Sequence, residues 1–356
     1  MNFDLTNLVR INVQNLIPYS SARSENKKKE GIFLDANESP FESSFTSSSI
    51  LNLELNRYPD PEQLELKKTL GKLKGLQTKN IFLGNGSDEA IDLLFRAFCN
   101  PGKDNVIICP PTYGMYEVSA NINDVDVIKV PLTPETFQLN EQKILQAIST
   151  NTKLLFICCP NNPTGNGVKW QAIKQILDNF NGLVVVDEAY IDFASYRSLI
   201  PNLVNYPNLV ILQTFSKAWG LAGIRLGAAF ASKEIVEVLT KIKPPYNINA
   251  VSQKLALDAL SLSEEVTKTT KILISERNKL KEVLERLPFV QKVYPSEANF
   301  LLVKMNDAKS VYDYLVVNKI SVRNRSEVNL CEGCLRFTIG SEDENILLIT
   351  HLKNYL

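Results

Sequence analysis

The chain has 356 residues, 44% of them apolar and 22% charged, a composition that folds around a sizeable core and excludes disorder and collagen-like repeats. At roughly 150 residues per domain, that length corresponds to about two domains, or one large domain with a lobe attached. Lys and Arg total 39, as do Asp and Glu, so the net charge is zero and excludes a partner held mainly by charge, such as nucleic acid or an anionic membrane surface.

Residues 1–30 read as an arm with one short helix and a polar loop, in which Lys27, Lys28 and Lys29 form a solvated run. The arm has no continuous apolar stretch of the kind a secretory signal needs. Nowhere does the chain approach the ~18 consecutive apolar residues of a membrane span. A Ser/Thr-rich connector (43–49) leads to Arg57-Tyr58-Pro59-Asp60, and Leu64, Leu66, Leu70 and Leu73 then give residues 62–73 the apolar face of a helix.

Strands and helices alternate from there. IFLG (81–84) is followed by a helix over 88–98, and VIIC (106–109) by the turn residues PPTYG. LLFICC (154–159) runs into PNNPTG, a helix around 170–180 leads to LVVVDEA (183–189), and LVILQ (209–213) runs into TFSKAWG. Short all-apolar strands between helices predict an α/β fold, with a mainly parallel sheet covered by helices on both faces. Beyond Lys243-Pro244-Pro245 the texture changes to two long helices (250–262 and 264–287). Short strands follow at VQKVYP, NFLLVKM, ISVRNR and CLRFTIG, with a helix over 308–318, which together make a smaller α+β domain. The expected division is an arm and connector (1–45), a large domain (46–245) and a small C-terminal domain (246–356).

Six cysteines do not make a disulfide scaffold. Cys99, Cys109, Cys158 and Cys159 lie in or beside apolar runs, as buried thiols of a reducing, cytoplasmic compartment do. Cys331 and Cys334 form a CxxC, but no second pair of ligands lies near it, so no metal site is expected. The single histidine, His351, leaves an enzyme of this sequence to work with lysine, carboxylates, tyrosine or a cofactor.

Three apolar strands end in polar clusters: Asn161-Asn162, Asp187 and Ser216-Lys217. From 162 to 187 is 25 residues and from 187 to 217 is 30, each about one strand–helix–strand unit. Ligands of open parallel sheets bind outside the carboxyl ends of the strands, so an amide, a carboxylate and an amine converge on one crevice. Gly84-Asn85-Gly86-Ser87-Asp88-Glu89 also follows a strand and opens a helix, the geometry that holds a phosphate on backbone N–H groups. Glu89 stands where a dinucleotide fingerprint has its third glycine, which leaves NAD a minor alternative. Ser216 and Arg225 offer a hydroxyl and a guanidinium to the same anion.

PNNPTG (160–165), DEAY (187–190) and SKAWGLAGIRLG (216–227) resemble the fold-type I, pyridoxal 5'-phosphate (PLP) dependent aminotransferases. RYPD (57–60), GNGSDE (84–89), PTYGMY (111–116), IPYSSAR (17–23) and CLRFTIG (334–340) narrow the resemblance to the histidinol-phosphate aminotransferases, over essentially the whole chain. The resemblance implies that Lys217 forms the Schiff base with PLP and, once released, moves the proton. Asp187 would face the pyridine nitrogen, Asn162 and Tyr190 the ring O3′, and Tyr113 the ring face. The phosphate would rest on Ser87, Asp88, Ser216 and Arg225, with Tyr58 reaching across from the other subunit of a homodimer. Arg336 and Arg323 with Tyr19, and Asn37, Asn162 and Tyr58, would bind substrate. The implied reaction transfers the amino group of histidinol phosphate to 2-oxoglutarate, and Arg336 has to accept both oxyanions. A threonine-phosphate-type decarboxylase, an aromatic aminotransferase and a non-catalytic PLP-type module remain alternatives.

Overall fold

The structure, a computed structural model, describes residues 9–21, 30–41 and 53–355; the lysine run, Arg23 and the Ser/Thr connector lie outside them. The arm contributes helix α1 (Ile11–Gln14) and strand β1 (Ile32–Phe33). Helix α2 (Leu64–Lys74) starts two residues later than the leucine spacing predicts. Gln63 before it takes a positive φ of 48°, and the Asp60 carboxylate accepts the backbone N–H groups of Glu62 (2.9 Å) and Leu64 (2.7 Å), which caps the helix from outside.

Seven strands form the main sheet: β2 (Ile81–Asn85), β3 (Asn105–Ile108), β4 (Asp126–Lys129), β5 (Thr152–Cys158), β6 (Leu183–Asp187), β7 (Leu209–Thr214) and β8 (Leu226–Phe230). Their order is β2-β8-β7-β6-β5-β3-β4, parallel from β7 to β4, with β8 antiparallel to both its neighbours. The apolar strands are buried on both faces and alternate between two cores. Leu155 and Ile157 of β5, with Cys159 just after it, point to one core and Leu154, Phe156 and Cys158 to the other. Helix α2 packs on the first face, with α6 (Trp170–Asn179) and α8 (Ala250–Ser261). The second face carries α3 (Ser87–Phe98), α4 (Met115–Ile122) and α7 (Lys233–Ile242). Helix α5 (Glu141–Ala147) lies against α6. Strand β4 escaped the sequence reading because this edge strand reads Asp-Val-Ile-Lys, with both ends exposed, and never forms an apolar run.

The rest of the chain builds the second sheet. After helix α9 (Ser263–Leu284) come β9 (Val290–Val293), β10 (Phe300–Met305), helix α10 (Ala308–Val317), β11 (Ile320–Ser321), β12 (Arg323–Asn324), β13 (Cys334–Thr338) and helix α11 (Glu342–Asn354). Strands β12, β13, β10 and β9 lie antiparallel in that order. The segment ISVRNR is two short strands rather than one, because Ile320 and Ser321 pair with β1 of the arm while Arg323 and Asn324 pair with β13. Helix α8 brings Ala256, Ala259 and Leu260 into the main-sheet core, whereas Leu273, Leu280 and Leu284 of α9 join the core of the second sheet. The change of core partner therefore falls between α8 and α9, beyond the Pro244–Pro245 pair. Lys243 binds the carbonyls of Pro61 (3.0 Å), Pro244 (3.3 Å) and Pro245 (3.0 Å), stitching the entry to α2 onto the exit from α7.

Candidate active site

The parallel strands deliver their polar ends to a cavity of about 260 Å³ lined from both sheets and from the arm. Asp187 is the last residue of β6, Lys217 follows β7, and Asn162 follows β5 by way of Pro160 and Asn161. Two neighbouring asparagines divide the work. Asn161 is buried, and its amide donates to the Pro111 carbonyl (2.8 Å) and the Thr164 hydroxyl (2.6 Å), so it shapes the loop. Asn162 lines the cavity, where its Oδ1 accepts from Arg336 Nη1 at 2.6 Å, leaving the Nδ2 amide as its donor.

Asp187 is 2% exposed. Its Oδ1 accepts the Ala189 N–H (3.0 Å) and its Oδ2 the Tyr116 hydroxyl (2.7 Å). Burial pushes this carboxyl up to about 6, against the pull of the Tyr116 and Ala189 hydrogen bonds. Lys217 donates from Nζ to the Ala36 carbonyl of the arm at 2.9 Å, and the ammonium lies 5.8 Å from the centre of the Tyr190 ring. Burial lowers its pKa to about 8, and the charge of Arg336 acts in the same direction while Glu38 and Asp88 oppose it. Roughly a tenth of the amine is then neutral at pH 7, far more than for an ordinary lysine, which favours a nucleophilic role. Tyr190 accepts from Asn37 Nδ2 (3.0 Å), which keeps its own O–H proton available as a donor.

A candidate anion cradle lies at the start of α3. Gly86 caps this helix at φ 77°, without a side-chain cap, so the first-turn N–H groups of Ser87 and Asp88 keep their capacity for an anion. A side chain in place of Gly227 would collide with the Ser87 nitrogen and the Gly86 carbonyl carbon, so β8 has to present a glycine there. Ser216 accepts from the Thr214 hydroxyl (3.0 Å), and Arg225 closes the cradle from a left-handed turn (φ 53°), paired with Asp88 at 3.5 Å. Tyr113 donates to Asp88 Oδ1 (3.0 Å) and meets Tyr19 of the arm edge-on at 6.0 Å. Uncapped N–H groups, a hydroxyl and a guanidinium, on a loop that Gly227 lets pack closely against β8, are a donor set that fits the phosphate of PLP.

The second sheet contributes a cationic wall. Arg323 and Arg336 are each 4% exposed, and Arg325 lines the same cavity. Arg336 Nη2 donates to the Asp35 carbonyl (2.7 Å), and the guanidinium lies over Phe300 at 5.2 Å. Its Nε is buried with no partner among the described residues, an orphaned donor. Burial, then the charges of Arg325 and Arg323, pushes the Arg336 guanidinium down to about 9. Arg323 donates to the Ser20 carbonyl (3.0 Å), tying the arm over this wall, and Asn12 anchors the arm's other end on the Asn121 carbonyl of α4 (2.8 Å).

Every site residue expected from sequence lines this cavity except Tyr58, which is 81% exposed and stacked on Tyr246 at 4.4 Å. Sequence reasoning missed Tyr116, Asp35 and Arg325. Tyr116 stands in PTYGMY and Arg325 in ISVRNR, where a second arginine two residues after Arg323 on an extended segment was a signal for the same face. Asp35 acts through its backbone carbonyl, for which no residue-type signal exists. Among the described residues no three His, Cys, Asp or Glu side chains gather into a metal site, and no helix is long and apolar enough to cross a membrane.

A family profile for aminotransferases of class I and II matches residues 30–352. The histidinol-phosphate aminotransferase of Cytophaga hutchinsonii is 54% identical over 355 residues, covering 100% of both chains. Among solved structures, the histidinol-phosphate aminotransferase from Clostridium acetobutylicum superposes with a TM-score of 0.83 at 26% identity, over 91% of this chain and 98% of that one. That from Sinorhizobium meliloti, in complex with pyridoxal-5'-phosphate, superposes at 0.86 and 22% identity over 98% of each chain, a likeness of fold.

Proposed function

The chain belongs to the class I and II aminotransferases, and we propose that it uses PLP to transfer the amino group of L-histidinol phosphate to 2-oxoglutarate, giving imidazole-acetol phosphate and L-glutamate. Relatives that carry the name histidinol-phosphate aminotransferase, at 48–54% identity and nearly full length, support the reading. The geometric observation behind it is the cationic wall: Arg323, Arg325 and Arg336 face the cavity that holds Lys217, and among the described residues Arg336 keeps a buried, unpartnered Nε. An amino substrate that carries a phosphate, and an acceptor that carries carboxylates, both supply what that wall lacks.

PLP, when bound, supplies an aldehyde that condenses with amines and a ring that withdraws electrons from the substrate carbon. Its phosphate would take the α3 N-terminus with Ser216 and Arg225. Asp187 would hold the proton on the ring nitrogen. Asn162, whose Oδ1 is engaged by Arg336, would turn Nδ2 to O3′, and Tyr190, already accepting from Asn37, would donate its hydroxyl proton to the same oxygen. With histidine absent from the cavity, Lys217 Nζ is the group that takes and returns the proton at the substrate carbon. Arg336, with Arg323 and Arg325, would orient the phosphate or the distal carboxylate, and Tyr19 and Asn37 would close the site from the arm.

Tyr58 belongs to the same proposal: an exposed ring with no place in its own cavity fits a residue that completes the site of a second copy, so the working enzyme would be a homodimer. Six unpaired, buried cysteines support a cytoplasmic location. The decisive experiment is the visible spectrum of the PLP-loaded enzyme with L-histidinol phosphate alone. Bleaching of the cofactor band, reversed by 2-oxoglutarate, is expected. A band that histidinol phosphate leaves untouched refutes the substrate, and release of carbon dioxide from an amino-acid phosphate without glutamate would identify a decarboxylase.

A further inference from the structure

We propose that Tyr116 is a positioning residue for the reaction, fixing through Asp187 the aim and the negative charge of the carboxylate that faces the cofactor's ring nitrogen. The inference rests on the PLP part of the reading above and is independent of which amine is the substrate.

Asp187 is 2% exposed, and among the described residues it has no ion pair. Two donors hold it, the Ala189 N–H on Oδ1 and the Tyr116 hydroxyl on Oδ2. The Ala189 contact runs along the chain just two residues on and accompanies any movement of the loop. The Tyr116 contact spans 71 residues, from α4 to β6, and fixes the carboxylate relative to the rest of the site. Tyr116 has little freedom of its own. Fully buried, it stacks on Phe156 of β5 at 4.8 Å and 18°, and Phe156 in turn stacks on Phe95 of α3 at 5.4 Å and 17°. Its ring meets Tyr113 edge-on at 5.6 Å, and Tyr113 binds Asp88 in the phosphate cradle. An aromatic column anchored in the sheet therefore sets the position of one hydroxyl, which sets one carboxylate oxygen.

The charge follows from the same contact. Burial favours the neutral form of Asp187, and a neutral carboxyl cannot keep a pyridine nitrogen protonated. A donor on Oδ2 favours the ionised form. Burial and the adjacent carboxylate hold the Tyr116 phenol protonated far beyond neutrality, so it acts as a donor and never as a base.

Tyr116→Phe removes the hydroxyl and keeps the stacking. For the PLP-loaded variant, kcat is expected to fall about 10- to 100-fold with both KM values within about threefold, because an interaction of the reacting state is lost. The apoenzyme should bind PLP about tenfold more weakly in equilibrium dialysis, and the absorption maximum of the resting holoenzyme should shift. A double-mutant cycle isolates the route: in an Asp187→Asn background, Tyr116→Phe should have no further effect on PLP affinity. Tyr116→Phe with wild-type spectrum, PLP affinity and kcat, and only a lower melting temperature, reduces Tyr116 to a packing residue. Additive effects in the cycle would show that it does not act through Asp187. A wild-type chain that fails to bind PLP refutes the cofactor reading instead, so the two failures are distinct.

Discussion

Removing the Arg336 guanidinium should separate catalysis from stability. Nη1 and Nη2 are engaged by Asn162 and the Asp35 carbonyl, while Nε is a buried donor with nothing to bind. A charge-assisted hydrogen bond is worth about 1.5–3 kcal/mol, so two of them to a substrate oxyanion make Arg336→Ala cost about 3–6 kcal/mol in kcat/KM, roughly 10²- to 10⁴-fold. The stability effects oppose one another. Burial and the neighbouring Arg325 and Arg323 depress the guanidinium pKa to about 9, so carrying its charge destabilises the free enzyme at any lower pH, and deletion relieves that penalty. Deletion also strips donors from Asn162 Oδ1 and the Asp35 carbonyl, at about 1–3 kcal/mol for each unsatisfied acceptor. These terms are of similar size, so the melting temperature should move by a few degrees at most. The assay is the two half-reactions followed separately by cofactor absorbance, with phosphorylated donor and then with 2-oxoglutarate. Both should slow. If the donor half-reaction keeps wild-type kcat/KM and only 2-oxoglutarate suffers, the donor's phosphate binds elsewhere and the shared-arginine argument fails.

Lys217→Ala should retain PLP non-covalently, without the visible band of the lysine adduct, and perform no multiple turnovers; sustained turnover would exclude Lys217 as the Schiff-base lysine. Asp187 in the apoenzyme has a folded pKa of about 6, above its usual value, so the stability it confers is present below about pH 4 and lost as pH rises through about 6. Asp187→Asn should accordingly raise the apoenzyme's stability at pH 8 by up to about 3 kcal/mol, relative to its effect at pH 4, while weakening PLP binding; a pH-independent change in denaturation midpoint would refute the assignment. Tyr58→Phe and Lys217→Ala protomers, mixed and reassembled, should give hybrid dimers in which one site is intact with respect to both residues. Activity in the mixture no greater than in the separate variants would show that Tyr58 does not serve the partner's site.

What could be read from sequence divides along a physical line. The strand ends were legible because parallel topology alone carries residues that follow successive strands to one edge, whatever the side chains do. Asn162, Asp187 and Lys217 meet for that reason, and Gly86 is legible because it stands where a strand gives way to a helix, whereas the need for Gly227 shows only in the packing of β8 on Ser87. Contacts between distant segments left weaker traces. Asn161 and Asn162 are chemically identical neighbours, and only the position of Pro111 and Thr164 makes the first a loop brace and the second a cavity residue. The arm strand β1 is two residues long and defined by a partner nearly 290 positions away, so neither periodicity nor propensity marks it. Yet this pairing brings Leu34 to Thr338 and sets the carbonyls of Asp35 and Ala36 against Arg336 and Lys217. The arm therefore meets Lys217 and Arg336 through backbone oxygens, which no residue type in the arm announces, while its Asn37 and Tyr19 side chains enter the same cavity. For this reason a sequence motif reports the cofactor end of the cavity better than the substrate end. The first is made of side chains at strand termini. The second depends on a main-chain clamp closed between an arm and a sheet that are far apart along the chain.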